Sequence, residues 1–247
     1  MASTTATARR EARPAPRLVW ITRARPGADV TAARVRALGL EAVVEPLLEV
    51  RTITEAALDL DGVCAVAFTS ANAVAAFAER SPEREIRVFA VGDATAAAAR
   101  AQRFKSVLSA QGDVTALAMA LTTRRRELAG VILYPAAAEP AQDLAGALAA
   151  VGLNVRQTAL YETVELEPNE ALVERLPQID GVLLHSAKAA RTLADFLKAH
   201  PAPQLAAFCL SRQVARALGR AALASVASAA APNETSLLAL LAPTPSA

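Results

Sequence analysis

Several short stretches carry side chains that can bind an anion or move a proton. Thr69, Ser70, Ala71 and Asn72 follow the apolar run CAVAF and open an alanine-rich helix. Ser70 suits the N-cap position, where a hydroxyl satisfies a free backbone N–H. The same turn presents unpaired N–H groups at the positive end of a helix dipole, which suits a carboxylate. The stretch GVLLHSAKAA repeats the arrangement with His185, Ser186 and Lys188; a lysine two residues beyond the cap adds a full positive charge, if it does not simply point into water. VGDAT supplies Gly92, through which a ligand can approach the backbone closely, and Thr95, a hydroxyl donor. Ser211 opens a further such turn in CLSRQVA. Arg23 and Arg25, just past LVWIT, can pair with carboxylates or stand in solvent. Tyr161, one of two tyrosines, ends an apolar strand in TALYETVELEP, where a phenol can give a proton to a leaving group or remain a half-buried aromatic. The other, Tyr134, ends VILY and can face either way.

What is missing narrows the chemistry. The chain contains no GxGxxG, Walker loop, GxSxG elbow, HExxH or CxxC, so nucleotide, acyl-transfer and zinc chemistry lose support. Cys64 and Cys209 lie inside apolar runs and read as reduced, buried thiols. His185 and His200 form no metal-ligand spacing with them, and no metal is expected. A net charge of +2 is too near neutral for a general nucleic-acid binder. No apolar stretch is long enough to span a membrane, because arginine, aspartate or glycine interrupts the alanine-rich runs. Residues 1–16, rich in Ala, Arg, Ser, Thr and Pro, read as a disordered tail; Glu11 and the shortness of the segment argue against a transit peptide. A cytoplasmic location is the expectation.

These turns must be positioned by regular elements, and the chain declares them by repeating itself. LVWITRARPGADVTAARVRALGLEAVVEPLLEV (18–50) aligns without a gap on VILYPAAAEPAQDLAGALAAVGLNVRQTALYET (131–163), with Gly39 on Gly152. AVAFTSANAVAAF (65–77) aligns on GVLLHSAKAARTL (181–193), with Ser70 on Ser186. VFAVGDATAAAAR (88–100) aligns on AFCLSRQVARALG (207–219), with Gly92 on Ser211. Each piece is a short apolar strand, a turn and a helix, which predicts parallel sheets covered by helices on both faces. The duplication favours two similar α/β lobes over one continuous doubly wound sheet. In such sheets ligands bind beyond the carboxyl ends of the strands, where the turns above fall.

The ordered series ITRARPGA, EPLLEV, AFTSANAVAAF, AVGDATA, GLNVRQTALYET and NETSLLALL resembles the uroporphyrinogen-III synthase family from about Leu18 to Leu241. The resemblance implies two parallel-sheet α/β lobes joined by a two-stranded β-linker. On this chain it maps to a continuous lobe over 51–158, a discontinuous lobe over 17–44 and 165–243, and linker strands at 45–50 and 159–164. It implies a cofactor-free lyase, monomeric and in transient contact at most with the preceding enzyme of its pathway. Such an enzyme converts hydroxymethylbilane, a linear tetrapyrrole with eight carboxylates, into uroporphyrinogen III by loss of water and inversion of ring D. Tyr161 takes the position of the family tyrosine that assists loss of water. Arg23, Thr69, Ser70, Asn72, Gly92, Thr95, Ser186, Lys188 and Ser211 are the candidate substrate contacts. The chain departs from the family at Ser211 and Val214, which replace a glycine and a threonine, and in PAAAEPAQ, which lacks the arginine and glycine usual after VILY. Two rival readings are a non-catalytic bilobal binding protein for a small anionic ligand and, with less support, a nucleotide-sugar transferase.

Overall fold

The fold was taken from a computed structural model, which describes residues 16–140 and 142–242. The tail expected over 1–16 lies outside these, apart from Pro16. The chain opens with β1 (Leu18–Ile21), α1 (Gly27–Ala37), β2 (Glu41–Val44), β3 (Leu48–Thr52) and β4 (Val63–Phe68). It continues through α2 (Ala71–Arg80), β5 (Arg87–Ala90), α3 (Asp93–Ala101), β6 (Val107–Ser109) and α4 (Val114–Thr123). Next come β7 (Val131–Ala137), α5 (Leu144–Ala150), β8 (Val155–Glu165), α6 (Glu170–Arg175) and β9 (Gly181–Leu184). The last elements are α7 (Ala187–Ala199), β10 (Ala206–Cys209), α8 (Arg212–Ala217), β11 (Ser225–Ser228) and α9 (Glu234–Leu238).

Compactness divides the chain into one unit ending at Glu49 and resuming at Glu165, and a second over Val50–Val164. The discontinuous unit holds a five-stranded sheet in the order β11-β10-β9-β1-β2, and its paired strands run parallel. The other sheet runs β3-β8-β7-β4-β5-β6, and the pairs from β8 to β6 are likewise parallel. If repeat partners are matched, β7 for β1, β8 for β2, β4 for β9 and β5 for β10, the two sheets have the same spatial order, with β3 added at one edge. The internal repeat is therefore a repeat of topology.

Local angles repeat as well. Gly39 and Gly152, which follow α1 and α5, have φ of +79° and +77°, the left-handed turn that glycine adopts without a steric cost. Strand alternation buries both faces of each sheet, as parallel sheets require. Leu18 and Trp20 face a core with α7, while Val19 and Ile21 face one with α1 and α9. In the continuous unit, Ile132 and Tyr134 pack with α4 and α5, and Leu133 packs with α2. Aromatics are scarce, yet Phe68, Phe77 and Phe104 gather on the α2 face with centroids 5.7–5.8 Å apart. Ala73 and Ala76 of α2 and Ala99 of α3 are buried in the same cluster as these rings.

The stretches expected as linker strands, 45–50 and 159–164, overlap β3 and β8 but with other bounds. β8 is a single strand that enters the sheet at Val155 and runs on to Glu165, and 45–50 becomes strand only at Leu48. Residues Glu45–Leu47 bend instead, with the Glu45 carbonyl accepting the Trp20 indole N–H at 2.7 Å.

Candidate functional site

Tyr161, expected to end its strand, lies inside β8 with four strand residues after it, and there it meets Ser70, two residues past the end of β4. Ser70 is extended (φ −153°, ψ 156°) and caps α2, its Oγ accepting the Ala73 N–H at 3.0 Å. The same oxygen lies 2.9 Å from the Tyr161 hydroxyl. The phenol reaches that point through a slip in register. Ala136 of β7 pairs with Ala159, but Ala137 pairs with Tyr161, so β8 carries one extra residue. As a result the consecutive residues Leu160 and Tyr161 pack into the same core cluster, which a regular strand forbids. The Tyr161 carbonyl accepts the Ala138 N–H at 2.8 Å and closes the irregular step.

The two hydroxyls line a cavity of about 240 Å³ together with Thr69, Tyr134 and Gln142, and with Val114, Ala137 and Pro140 as its apolar part. Tyr134, left open by the sequence, thus faces the Tyr161 site. Gln142 was not anticipated; it lies shortly before α5, and no local pattern marks it. Among the described residues the lining offers hydroxyl and amide groups and no ionised side chain, so it is suited to hydrogen bonding and proton transfer.

The remaining candidates of this unit lie outside the cavity. Asn72 is exposed on the first turn of α2. Gly92 caps α3 by its backbone alone (φ −156°, ψ 177°), and Thr95 is buried in that helix's first turn. A Cβ built on Gly92 would meet nothing closer than the Gly112 carbonyl, at 3.7 Å. The protein itself therefore does not demand glycine here.

In the discontinuous unit the equivalent turns are built the same way. Ser186 caps α7 through Oγ and the Ala189 N–H at 3.1 Å, with backbone angles close to those of Ser70. Lys188 is half-buried in that first turn. Ser211 replaces the capping glycine without distortion because its φ of −156° is extended backbone open to any residue, and its Oγ accepts the Val214 N–H at 3.3 Å. Val214 is buried, so no hydroxyl stands where Thr95 does in the sister helix.

Arg23 is already engaged. Its Nη1 lies 3.4 Å from Glu234 Oε2 and 3.4 Å from the Thr31 hydroxyl. Thr31 donates to Glu234 Oε1 at 2.6 Å, and His185 Nε2 lies 3.0 Å from Oε2. The His185 hydrogen bond, reinforced by Thr31 and by the Arg23 charge, holds the Glu234 carboxyl down at about 2 against the opposing effect of burial. Sequence reasoning missed Thr31 and Glu234. Asn233–Glu234 is a legible helix start, with Asn233 accepting the Ser236 N–H, but nothing local names Arg23 as the partner. Cys209 is a free, buried thiol pushed up to about 12 by desolvation, consistent with an inert core residue.

Comparison with known proteins places this geometry. The family model described as Uroporphyrinogen-III synthase HemD matches residues 29–239. No curated protein sequence matches the chain. Among solved structures, uroporphyrinogen-III synthetase from Helicobacter pylori is similar, with 18% identity, 90% of this chain and 96% of that one covered, and a TM-score of 0.62. A mutant uroporphyrinogen III synthase from the extremely thermophilic bacterium Thermus thermophilus aligns at 17% identity over 90% of this chain and 96% of its own, with a TM-score of 0.50. At such identities the structures speak for the fold, while the family match extends over most of the sequence. The chain belongs to the uroporphyrinogen-III synthase family.

Proposed function

We propose that the chain converts hydroxymethylbilane into uroporphyrinogen III, with Tyr161 as the acid that assists loss of water from the ring D hydroxymethyl group. The observation that carries this reading is the Tyr161 hydroxyl in a small cavity of neutral hydrogen-bonding groups. At about 240 Å³ the cavity is smaller than the roughly 300–1,000 Å³ of pockets that enclose a whole ligand. It suits one terminal pyrrole with its leaving group, and the rest of the tetrapyrrole must lie elsewhere on the protein.

Loss of water and ring closure leave the overall oxidation state unchanged, so the reaction calls for no electron acceptor. The protein's contribution is to hold one conformer and to assist the departing hydroxyl. Without that constraint the chain closes uninverted. For the substrate carboxylates we assign the turns that open helices: Thr69 and Asn72 at α2, Gly92 and Thr95 at α3, Ser186 and Lys188 at α7, and Ser211 at α8. Arg23 can join them only by giving up Glu234, so its first role is within its own unit. Following the family, we assign a monomeric cytoplasmic enzyme that meets the producer of its substrate transiently.

The test is an isomer assay. Purified protein supplied with hydroxymethylbilane should yield mainly the type III product. Formation of the type I product alone, at the spontaneous rate, would remove the assignment and leave an anion-binding protein.

A further inference from the structure

The Ser70 hydroxyl has two partners, the Ala73 N–H at 3.0 Å and the Tyr161 hydroxyl at 2.9 Å. A serine hydroxyl offers one proton and two lone pairs. One lone pair is taken by the Ala73 N–H, at the positive end of the ten-residue helix α2. Accepting from that amide polarises the Ser70 O–H and strengthens it as a donor, because hydrogen bonds in a chain reinforce one another. The Tyr161 oxygen is the acceptor within reach.

We propose that Ser70 donates its proton to the Tyr161 oxygen and thereby turns the phenol proton toward the cavity, making Ser70 a positioning residue for the acid rather than a substrate contact. This rests on the uroporphyrinogen-III synthase reading. In the step it serves, the phenol O–H bond breaks as its proton moves to the ring D hydroxymethyl oxygen. The C–O bond breaks with its electron pair going to oxygen, and water leaves. The pyrrole nitrogen lone pair supplies the new double bond of the azafulvene cation. The phenolate left behind keeps the Ser70 hydrogen bond, and the proton that the macrocycle loses on closure restores the phenol.

The Ser70→Asp variant separates this role from helix capping. Aspartate caps about as well as serine, but an ionised carboxylate only accepts. It obliges the phenol to donate to it and withholds the proton from the leaving group. Ser70→Asp should keep the wild-type melting temperature to within a few degrees yet lose kcat by about 10²-fold or more, approaching the loss of Tyr161→Phe. Ser70→Ala should lose kcat about tenfold or more with KM nearly unchanged, and Ser70→Thr should restore it. A second readout does not depend on activity. In protein carrying isotope-labelled tyrosine, the Tyr161 Cζ resonance is identified by its absence from Tyr161→Phe. It should move downfield in both Ser70→Ala and Ser70→Asp, because the phenol oxygen ceases to accept; an upfield move in Ser70→Ala would mean that the phenol had been the donor and overturns the role of Ser70. An unshifted Cζ in both variants, or wild-type kcat in Ser70→Asp, overturns the role of Ser70. A wild-type protein inert toward hydroxymethylbilane overturns the functional reading instead, and the resonance still decides the direction of the hydrogen bond.

Discussion

Arg23, in the loop after β1, lies 3.4 Å from Glu234, the first residue of α9, across 211 positions of sequence. His185 and Thr31 complete the enclosure of that carboxylate. The last short helix is thereby tied to the loop of the first strand and to the end of β9. Because the Glu234 carboxyl is held at about 2, below its ordinary 4.5, its contribution to stability is complete above pH 4.5 and is lost as pH falls through about 2.

After allowance for solvent screening, that contribution should be about 1–2 kcal/mol. Denaturant titrations from neutral pH down to about pH 3 should therefore show a loss of stability that is smaller in Glu234→Gln. At neutral pH the variant should already be weaker by a similar amount. Parallel pH curves for the two proteins would show that the carboxylate is not held as described.

Gly27 is packed against the same arginine. A Cβ there would come within 2.7 Å of Arg23 Nε and 2.8 Å of Cζ. The guanidinium is the far end of a flexible side chain, so Gly27→Ala should displace it from Glu234 rather than unfold the protein. The gain in helix propensity and the lost pair are each within about 1 kcal/mol and oppose one another. A double-mutant cycle checks this: Arg23→Ala should cost stability in the wild type and almost nothing in the Gly27→Ala background.

Tyr161→Phe removes one hydroxyl and the hydrogen bond to Ser70 while leaving the ring in its core cluster. Stability should fall by about 0.5–1.5 kcal/mol, whereas kcat should fall by about 10²–10⁴-fold. Unchanged turnover in a steady-state assay would remove Tyr161 from the chemistry.

Gly92→Ala tests whether the α3 turn meets a ligand. The backbone there is extended and a Cβ fits, so the melting temperature should hold or rise slightly. If a substrate carboxylate approaches this backbone, KM should rise about tenfold, corresponding to roughly 1.4 kcal/mol. An unchanged KM would show that the turn does not meet the substrate.

The sequence alone determined the plan of the fold, because that plan is written in local signals that occur twice. Gly39 and Gly152 end repeated helices with the same left-handed turn, and Ser70 and Ser186 begin repeated helices with the same cap. Such choices depend on a few neighbouring residues, so they can be read in order along the chain. The helix-opening turns were legible for the same reason, whereas Tyr161, read as ending its strand, lies within β8, which runs on to Glu165.

What only the tertiary structure decided were pairings between distant residues. The contact of Tyr161 with Ser70 depends on one extra residue in β8, and a register slip leaves no mark on a run such as TALYET. The partner of Arg23 lay hidden because a charge shows its sign in sequence but not its neighbour, and Thr31, His185 and Glu234 converge only once β1, β9 and α9 are packed. The strand expected at 159–164 begins four residues earlier, in the mostly polar stretch VRQT, and the one expected at 45–50 begins only at Leu48, because backbone pairing rather than apolar character sets where a strand starts. Periodicity marks the face that a residue must bury, and packing alone selects the side chain it will meet there.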